Sequence, residues 1–321
     1  MRTNKLTLIK LFGVVALVSC LSIPVQAQMT GKLSNVQRLT NDGERYVNVQ
    51  WSPDGSKLAF TKEGFDGIEV IDMATKSRKV VTDAPNSGDR FQWSADGKEI
   101  LYRHTKWEDG ERTHTIHVTD LAGKSQQVSA GQRYLQPASW RYTTAGEKRV
   151  LSVDGQIVKQ PQIEKLSVAK TKSVLTTRRA NLSTFCDENM HLWLIDENGK
   201  KTMLNESGLE PAFSPNGQKI VFNESDYLIV MDLNGRNRRD LGMGFRATWI
   251  NDNQIVFELT TDDGHHYTGG ELYLMNIDGS LRVKLTDTPD RIEMYPTWNE
   301  KAQKLAFVSE VDGQIYTADL K

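Results

Sequence analysis

Cysteine is nearly absent: the chain has 2, Cys20 and Cys186. A disulfide-stapled scaffold is therefore excluded, and stability must come from an apolar core or a closed architecture. Charge of one sign is also lacking, because the formal net charge is −1. That leaves no electrostatic case for a nucleic-acid partner. There is no Gly-x-Ser-x-Gly elbow, no His-Glu-x-x-His pair and no glycine-rich phosphate loop after a strand. Three common routes to hydrolysis, zinc chemistry and nucleotide binding are missing with them. Ser167-Val168-Ala169-Lys170 fits Ser-x-x-Lys, but the helix and partner motifs that make it catalytic are not there. No cofactor is expected.

One uncharged apolar run stands out, Leu11 to Ile23, preceded by Arg2, Lys5 and Lys10 and ended by Pro24. It is shorter than the roughly 20 residues a membrane-spanning helix needs. With Val25-Gln26-Ala27 behind it, residues 1–27 read as a secretory signal peptide, and 28–321 as one mature domain with no transmembrane segment. The expected location is periplasmic or secreted. Leu17-Val18-Ser19-Cys20 offers an alternative, a lipid anchor through Cys20.

What the sequence has in abundance is repetition. Trp51-Ser52-Pro53-Asp54-Gly55, Trp93-Ser94-Ala95-Asp96-Gly97 and Phe213-Ser214-Pro215-Asn216-Gly217 are copies of one motif. Trp249-Ile250-Asn251-Asp252 and Trp298-Asn299-Glu300-Lys301 are looser copies, and Trp140 heads a degenerate one. An aromatic ends a strand, a tight turn follows, and a β-branched strand leads away. Third strands such as Tyr227 to Asp232 and Glu271 to Asn276 end on Asn234-Gly235 and Asp278-Gly279, strong hairpin signals. Four short antiparallel strands per roughly 40 residues is the signature of a propeller blade. The interval from Trp140 to Phe213 is too long for one unit, so a degenerate blade is placed at 172–205. The fold class is all-β, a propeller of four-stranded antiparallel blades, seven in number with six as the alternative. Asn35 to Thr40 resembles the fourth strand Leu281 to Thr286 and is expected to complete the last blade.

Arg38-Leu39-Thr40, the segment Trp51 to Phe60, and Leu272 to Ser280 together resemble the repeat of the TolB-like, WD-repeat-like bacterial propellers. The resemblance covers residues 33–321 and the propeller part of that family. It implies an exported, non-catalytic platform for a protein or peptide partner in the cell envelope, with the chain a monomer.

Site candidates come from the face opposite the Ser-Pro-Asp-Gly turns. Arg45, Arg90, Arg133, Arg246 and Arg291 fall three to seven residues before an inner aromatic, with Tyr46, Tyr134 and Tyr295 alongside. They are expected to rim the channel and receive an anionic partner. Two long loops add His104, Trp107 and His114, and Asp263, His265, His266 and Tyr267. These motivate an alternative: a carbohydrate-active propeller, similar to oligogalacturonate lyases, holding a metal or anionic sugar. Either loop is equally well a solvated hairpin tip, so no metal is assigned. His114 and His117, an odd number apart on one strand, point to opposite faces and cannot chelate together. Cys186 reads as a buried small apolar residue.

N-terminal sequencing of the exported chain is expected to start at Gln28. A mature chain starting at an acylated Cys20 would establish the lipid anchor instead.

Overall fold

A computed structural model of the chain describes residues 29–142, 148–151, 157–158, 182–187, 189–196 and 200–321. The expected signal peptide and the Ser-x-x-Lys motif lie outside the described residues. Everything regular in the described residues is β.

The strands are β1 (Leu33–Arg38); then β2 (Tyr46–Trp51), β3 (Lys57–Lys62), β4 (Ile68–Asp72) and β5 (Arg78–Thr82). Next come β6 (Gln92–Trp93), β7 (Glu99–Glu108), β8 (Glu111–Asp120) and β9 (Ser125–Gln127). The middle holds β10 (Ser139–Tyr142), β11 (Lys148–Leu151), β12 (Ile157–Val158), β13 (Ser183–Cys186), β14 (Leu192–Ile195) and β15 (Lys201–Asn205). Then follow β16 (Leu209–Phe213), β17 (Lys219–Glu224), β18 (Tyr227–Asp232) and β19 (Arg239–Met243). The last are β20 (Phe245–Asn251), β21 (Gln254–Asp262), β22 (Tyr267–Asn276), β23 (Arg282–Lys284), β24 (Glu293–Asn299), β25 (Lys304–Ser309) and β26 (Ile315–Leu320).

The sheets β2–β5, β6–β9, β16–β19, β20–β23 and β1-β26-β25-β24 are four-stranded antiparallel blades. Seven such blades were expected, and this is corrected. The structure shows six blades, the count that the sequence left as the alternative, and these five sheets are the complete ones. Among the described residues between Trp140 and Phe213, β10–β12 and β13–β15 form three-stranded sheets, and Trp140 packs in the core. The sequence count was one too high because the interval from Trp140 to Phe213 carries no clear copy of the turn motif by which blades are counted.

The repeated motif has a local cause. Ser52, Ser94 and Ser214 are fully buried. Each hydroxyl accepts a backbone N–H from the next strand, of Lys57 at 2.9 Å, Glu99 at 3.0 Å and Lys219 at 3.0 Å. Each also meets the acid or amide two residues on, Asp54, Asp96 or Asn216. The glycine that follows takes positive φ, as at Gly55 (76°), which only glycine adopts without strain.

The aromatic that precedes each turn joins blades. The indole N–H of Trp93 donates to Gln50 O (3.3 Å) and that of Trp140 to Gln92 O (3.2 Å). Trp249 donates to Ala212 O (2.9 Å), and Trp51 to Thr297 O (3.2 Å), linking first blade to last. In every case the acceptor is the residue just before the neighbouring blade's own inner aromatic.

Closure by the N-terminal segment is observed. β1 pairs antiparallel with β26, Leu33 opposite Leu320 and Arg38 opposite Tyr316. Leu39 N–H donates to Ile315 O (2.7 Å), and Ile315 N–H to Thr40 Oγ1 (3.0 Å). The same clamp recurs where the fourth strand is native to its blade: Leu285 N–H to Leu272 O, and Leu272 N–H to Thr286 Oγ1. The likeness of the two sequences thus encodes one hydrogen-bond pattern.

Replacing Trp93 with Phe keeps the aromatic packing but leaves Gln50 O unpaired. Urea unfolding is expected to show a loss of about 1–2 kcal/mol. An unchanged midpoint would mean that the indole bond contributes nothing.

Candidate binding face

Successive turns of each blade alternate between two faces of the ring. The Ser-Pro-Asp-Gly turns occupy one. The other, here the loop face, carries the second-to-third-strand turns and the connections between blades. At that end the inner strands share an irregularity. Asn48, Arg90, Glu210, Arg246 and Tyr295 all have φ between 47° and 56°. Each lies three residues before its aromatic, Trp51, Trp93, Phe213, Trp249 or Trp298. In β2, β16, β20 and β24 the pairing register slips at this residue, which marks a β-bulge. A bulge bends the strand and re-aims a side chain, and left-handed backbone in non-glycine residues is costly enough to need support. The third unit has Pro137 at this position, which cannot take positive φ.

Three of these bulge residues touch. The Arg246 guanidinium stands 4.4 Å over the Tyr295 ring and 3.3 Å from the Glu210 carboxylate. Beneath them Glu258 of β21 is fully buried. One of its oxygens pairs with Arg246, and the other accepts the Tyr295 N–H at 2.6 Å. Burial pushes the Glu258 carboxyl up to about 7, against the opposing pull of Arg246 and the Tyr295 N–H. One buried acid therefore fastens the bulges of two blades.

The expected rim divides. Arg45 is locked by Glu63 (2.9 Å) and by the carboxylate and carbonyl of Glu310 (2.5 and 2.8 Å). Arg291 lies 3.5 Å from buried Glu293 and over the Tyr316 ring. Tyr46 is not on the rim at all: it is 1% exposed and its hydroxyl donates to Asp42. Its ring packs edge-on against Phe60 and under Arg78. Alternation along β2 turns it inward, although its neighbour Arg45 points out. Three residues of the set remain open. Among the described residues Arg90 pairs with Asp89 at 3.9 Å, and Asp89 is held more tightly by Arg103 at 2.6 Å. Tyr134 is 76% exposed, with Arg133 stacked 5.9 Å from its ring.

The long loops also differ from expectation. Residues 104–114 are not a loop: β7 and β8 stay paired out to Glu108 opposite Glu111. At the end of this projecting hairpin Trp107 is 65% exposed and faces Arg112 across the strands, 5.9 Å from ring to guanidinium. His114 is 4% exposed, bonded to Thr105 Oγ1 at 2.9 Å and bridged through its backbone to Gln132. It is therefore unavailable to a ligand. That bridge sets the Arg133–Tyr134 loop beside the hairpin. In the other hairpin, Asp263 spends its carboxylate on the N–H groups of His265 (2.9 Å) and His266 (2.8 Å). His265, His266 and Tyr267 are exposed around this turn. Among the described residues no group of three or more His, Cys, Asp or Glu is arranged to hold a metal ion. Cys186 donates to Gly208 O at 2.6 Å, and burial raises its thiol pKa, so it is no activated nucleophile.

Asn48, Glu210 and Glu258 were missed from the sequence. The constant offset from each aromatic was the available signal for the first two.

No protein-family model matches the chain, and no curated protein matches it. Solved structures do. A propeller in a structure of the Mitotic Checkpoint Complex aligns with TM-score 0.59 at 13% identity, over 98% of both chains. A structure assigned to TolB from Agrobacterium tumefaciens aligns with TM-score 0.51 at 15% identity, over 89% of this chain and 96% of that one. TolB from Acinetobacter baumannii gives 0.48 at 19%, and this chain spans 56% of its length. The chain shares the β-propeller fold of these structures.

The raised Glu258 pKa fixes a sign. An unfolded Glu titrates near 4.3, so between there and about 7 the folded state holds a proton the unfolded state has released. Stability from this group is full at low pH and falls as pH rises through 7. Glu258→Gln is expected to remove about 1–3 kcal/mol of that pH-dependent decline between pH 5 and 8. Denaturation profiles of both proteins that run parallel would refute this.

Proposed function

We propose that the chain is an exported binding platform for a protein partner, engaged through the loop face. The observation that carries the reading is the pairing of two exposed aromatics, Trp107 and Tyr134, each backed by an arginine, on the projecting β7–β8 hairpin and the loop bridged to it. Trp, Tyr and Arg are the residues that dominate binding energy when a partner covers them. Here they are presented by paired strands, so little ordering entropy is lost on association. Arg90, weakly compensated at the inner end of the same face, would accept an acidic group of the partner. That one similar fold was solved within the Mitotic Checkpoint Complex supports use of the architecture for assembly. Export through residues 1–27, with 28–321 as the mature platform in the periplasm or outside the cell, belongs to this proposal.

Site-specific photo-crosslinking in the native envelope tests it. A crosslinker at Tyr134 or Trp107 is expected to trap one discrete partner, and one at Ser56 on the turn face to trap none. Arg133→Glu is expected to lower the Trp107 adduct at least tenfold. Equal adducts from both faces, or adducts from Ser56 alone, would contradict the reading.

A further inference from the structure

The histidines that meet are not those that the sequence put together. In the β7–β8 pair, Tyr102 lies opposite His117 and His104 opposite Thr115. Tyr102, His104, Thr115 and His117 therefore share one face of the blade, while His114 faces the other way. Tyr102 stacks on His117 with centroids 5.5 Å apart, and His104 stands edge-on to His117 at 5.2 Å. Both imidazoles are partly exposed.

The geometry points to a two-imidazole site for a divalent transition ion, formed by His104 and His117 on the face of the second blade, with its remaining positions open to water. Imidazole nitrogens bind such ions at about 2.0–2.1 Å, so two rings sharing one ion have centroids about 5 Å apart. The observed 5.2 Å matches that separation.

Surrounding groups hold the ligands in the required form. His117 Nδ1 lies 3.3 Å from Ser125 Oγ, and Ser125 is itself bonded to the Tyr102 hydroxyl at 2.8 Å. A proton on Nδ1 donated to that oxygen leaves Nε2 with its lone pair, at the end of the ring where Thr115 Oγ1 sits 2.9 Å away. Thr115 is the residue directly opposite His104, so this nitrogen is on the His104 side. An outer oxygen that fixes the tautomer is the usual second layer of a histidine metal site. The ion displaces only the Thr115 hydroxyl. The Lys106 ammonium is paired with Glu108. Imidazole with no carboxylate favours Cu(II) over Zn(II), and both over Mg(II) or Ca(II).

Calorimetry of the untagged full chain with Zn(II), and electron paramagnetic resonance with Cu(II), test the assignment. One equivalent of each ion is expected to bind, the Cu(II) signal showing two imidazole nitrogens. His104→Ala and His117→Asn, each checked for native circular dichroism, should weaken Zn(II) at least tenfold. His265→Ala/His266→Ala should leave it unchanged. If neither ion binds, if binding survives His104→Ala, or if it follows His265 and His266, the site is refuted. His104 is the deciding variant should His117→Asn fail to fold, because His104 lies nearer the tip of the hairpin.

Discussion

The fold depends on a bond between an indole N–H of one blade and a backbone carbonyl of its neighbour. Blades of a propeller pack face to face, and an apolar interface alone would let them slide. A tryptophan at the end of the inner strand supplies both bulk and a directed donor. Because each acceptor carbonyl belongs to the residue just before the next aromatic, one dipeptide serves two junctions. Gln50-Trp51 accepts from Trp93 and donates to Thr297. Where Phe213 replaces tryptophan the indole donor is lost, although its own blade, β16–β19, is a complete four-stranded sheet. Trp298 is the exception on the other side: its buried indole N–H has no partner.

The second constraint is the seam. A ring built from a linear chain must join its ends, and with one cysteine in the described residues the seam is not covalent. It is made instead by β1, whose Leu39-Thr40 reproduces the clamp of Leu285-Thr286. Residues 29–32 reinforce it. Met29 exchanges hydrogen bonds with the buried Gln254 side chain, and Thr30 and Gly31 donate to Lys321 O. A rigid, closed ring is what allows strained bulges to persist on its inner strands and a hairpin to project from its rim.

Much of this was legible in the sequence, because the repeat states its own chemistry. Ser-Pro-Asp-Gly implies the turn, the aromatic implies the inner strand, and the twin Leu-Thr pairs imply the seam. The site was less legible. Tyr46 looked like a rim residue because it adjoins Arg45, yet adjacent strand residues face opposite ways. Arg246 sits on a bulge and Arg90 shares its left-handed backbone, whereas Arg45, Arg133 and Arg291 do not, a distinction carried only by an offset of three from the aromatic. His104 and His117 are diagonal partners across two strands. Their meeting could not be seen while residues 104–114 were read as a loop. The degenerate blade placed at 172–205 corresponds to β13–β15, whereas the count was one too high because the turn motif has no clear copy between Trp140 and Phe213.

The claim on which the account rests is that the ring is shut by its own N-terminal segment. Amide hydrogen exchange resolves this directly. Closure predicts that β26 and Leu39 exchange as slowly as the central strand β25, in one cooperative unit. Rapid exchange of Ile315 and Leu39, with β25 still protected, would show an open edge and contradict it.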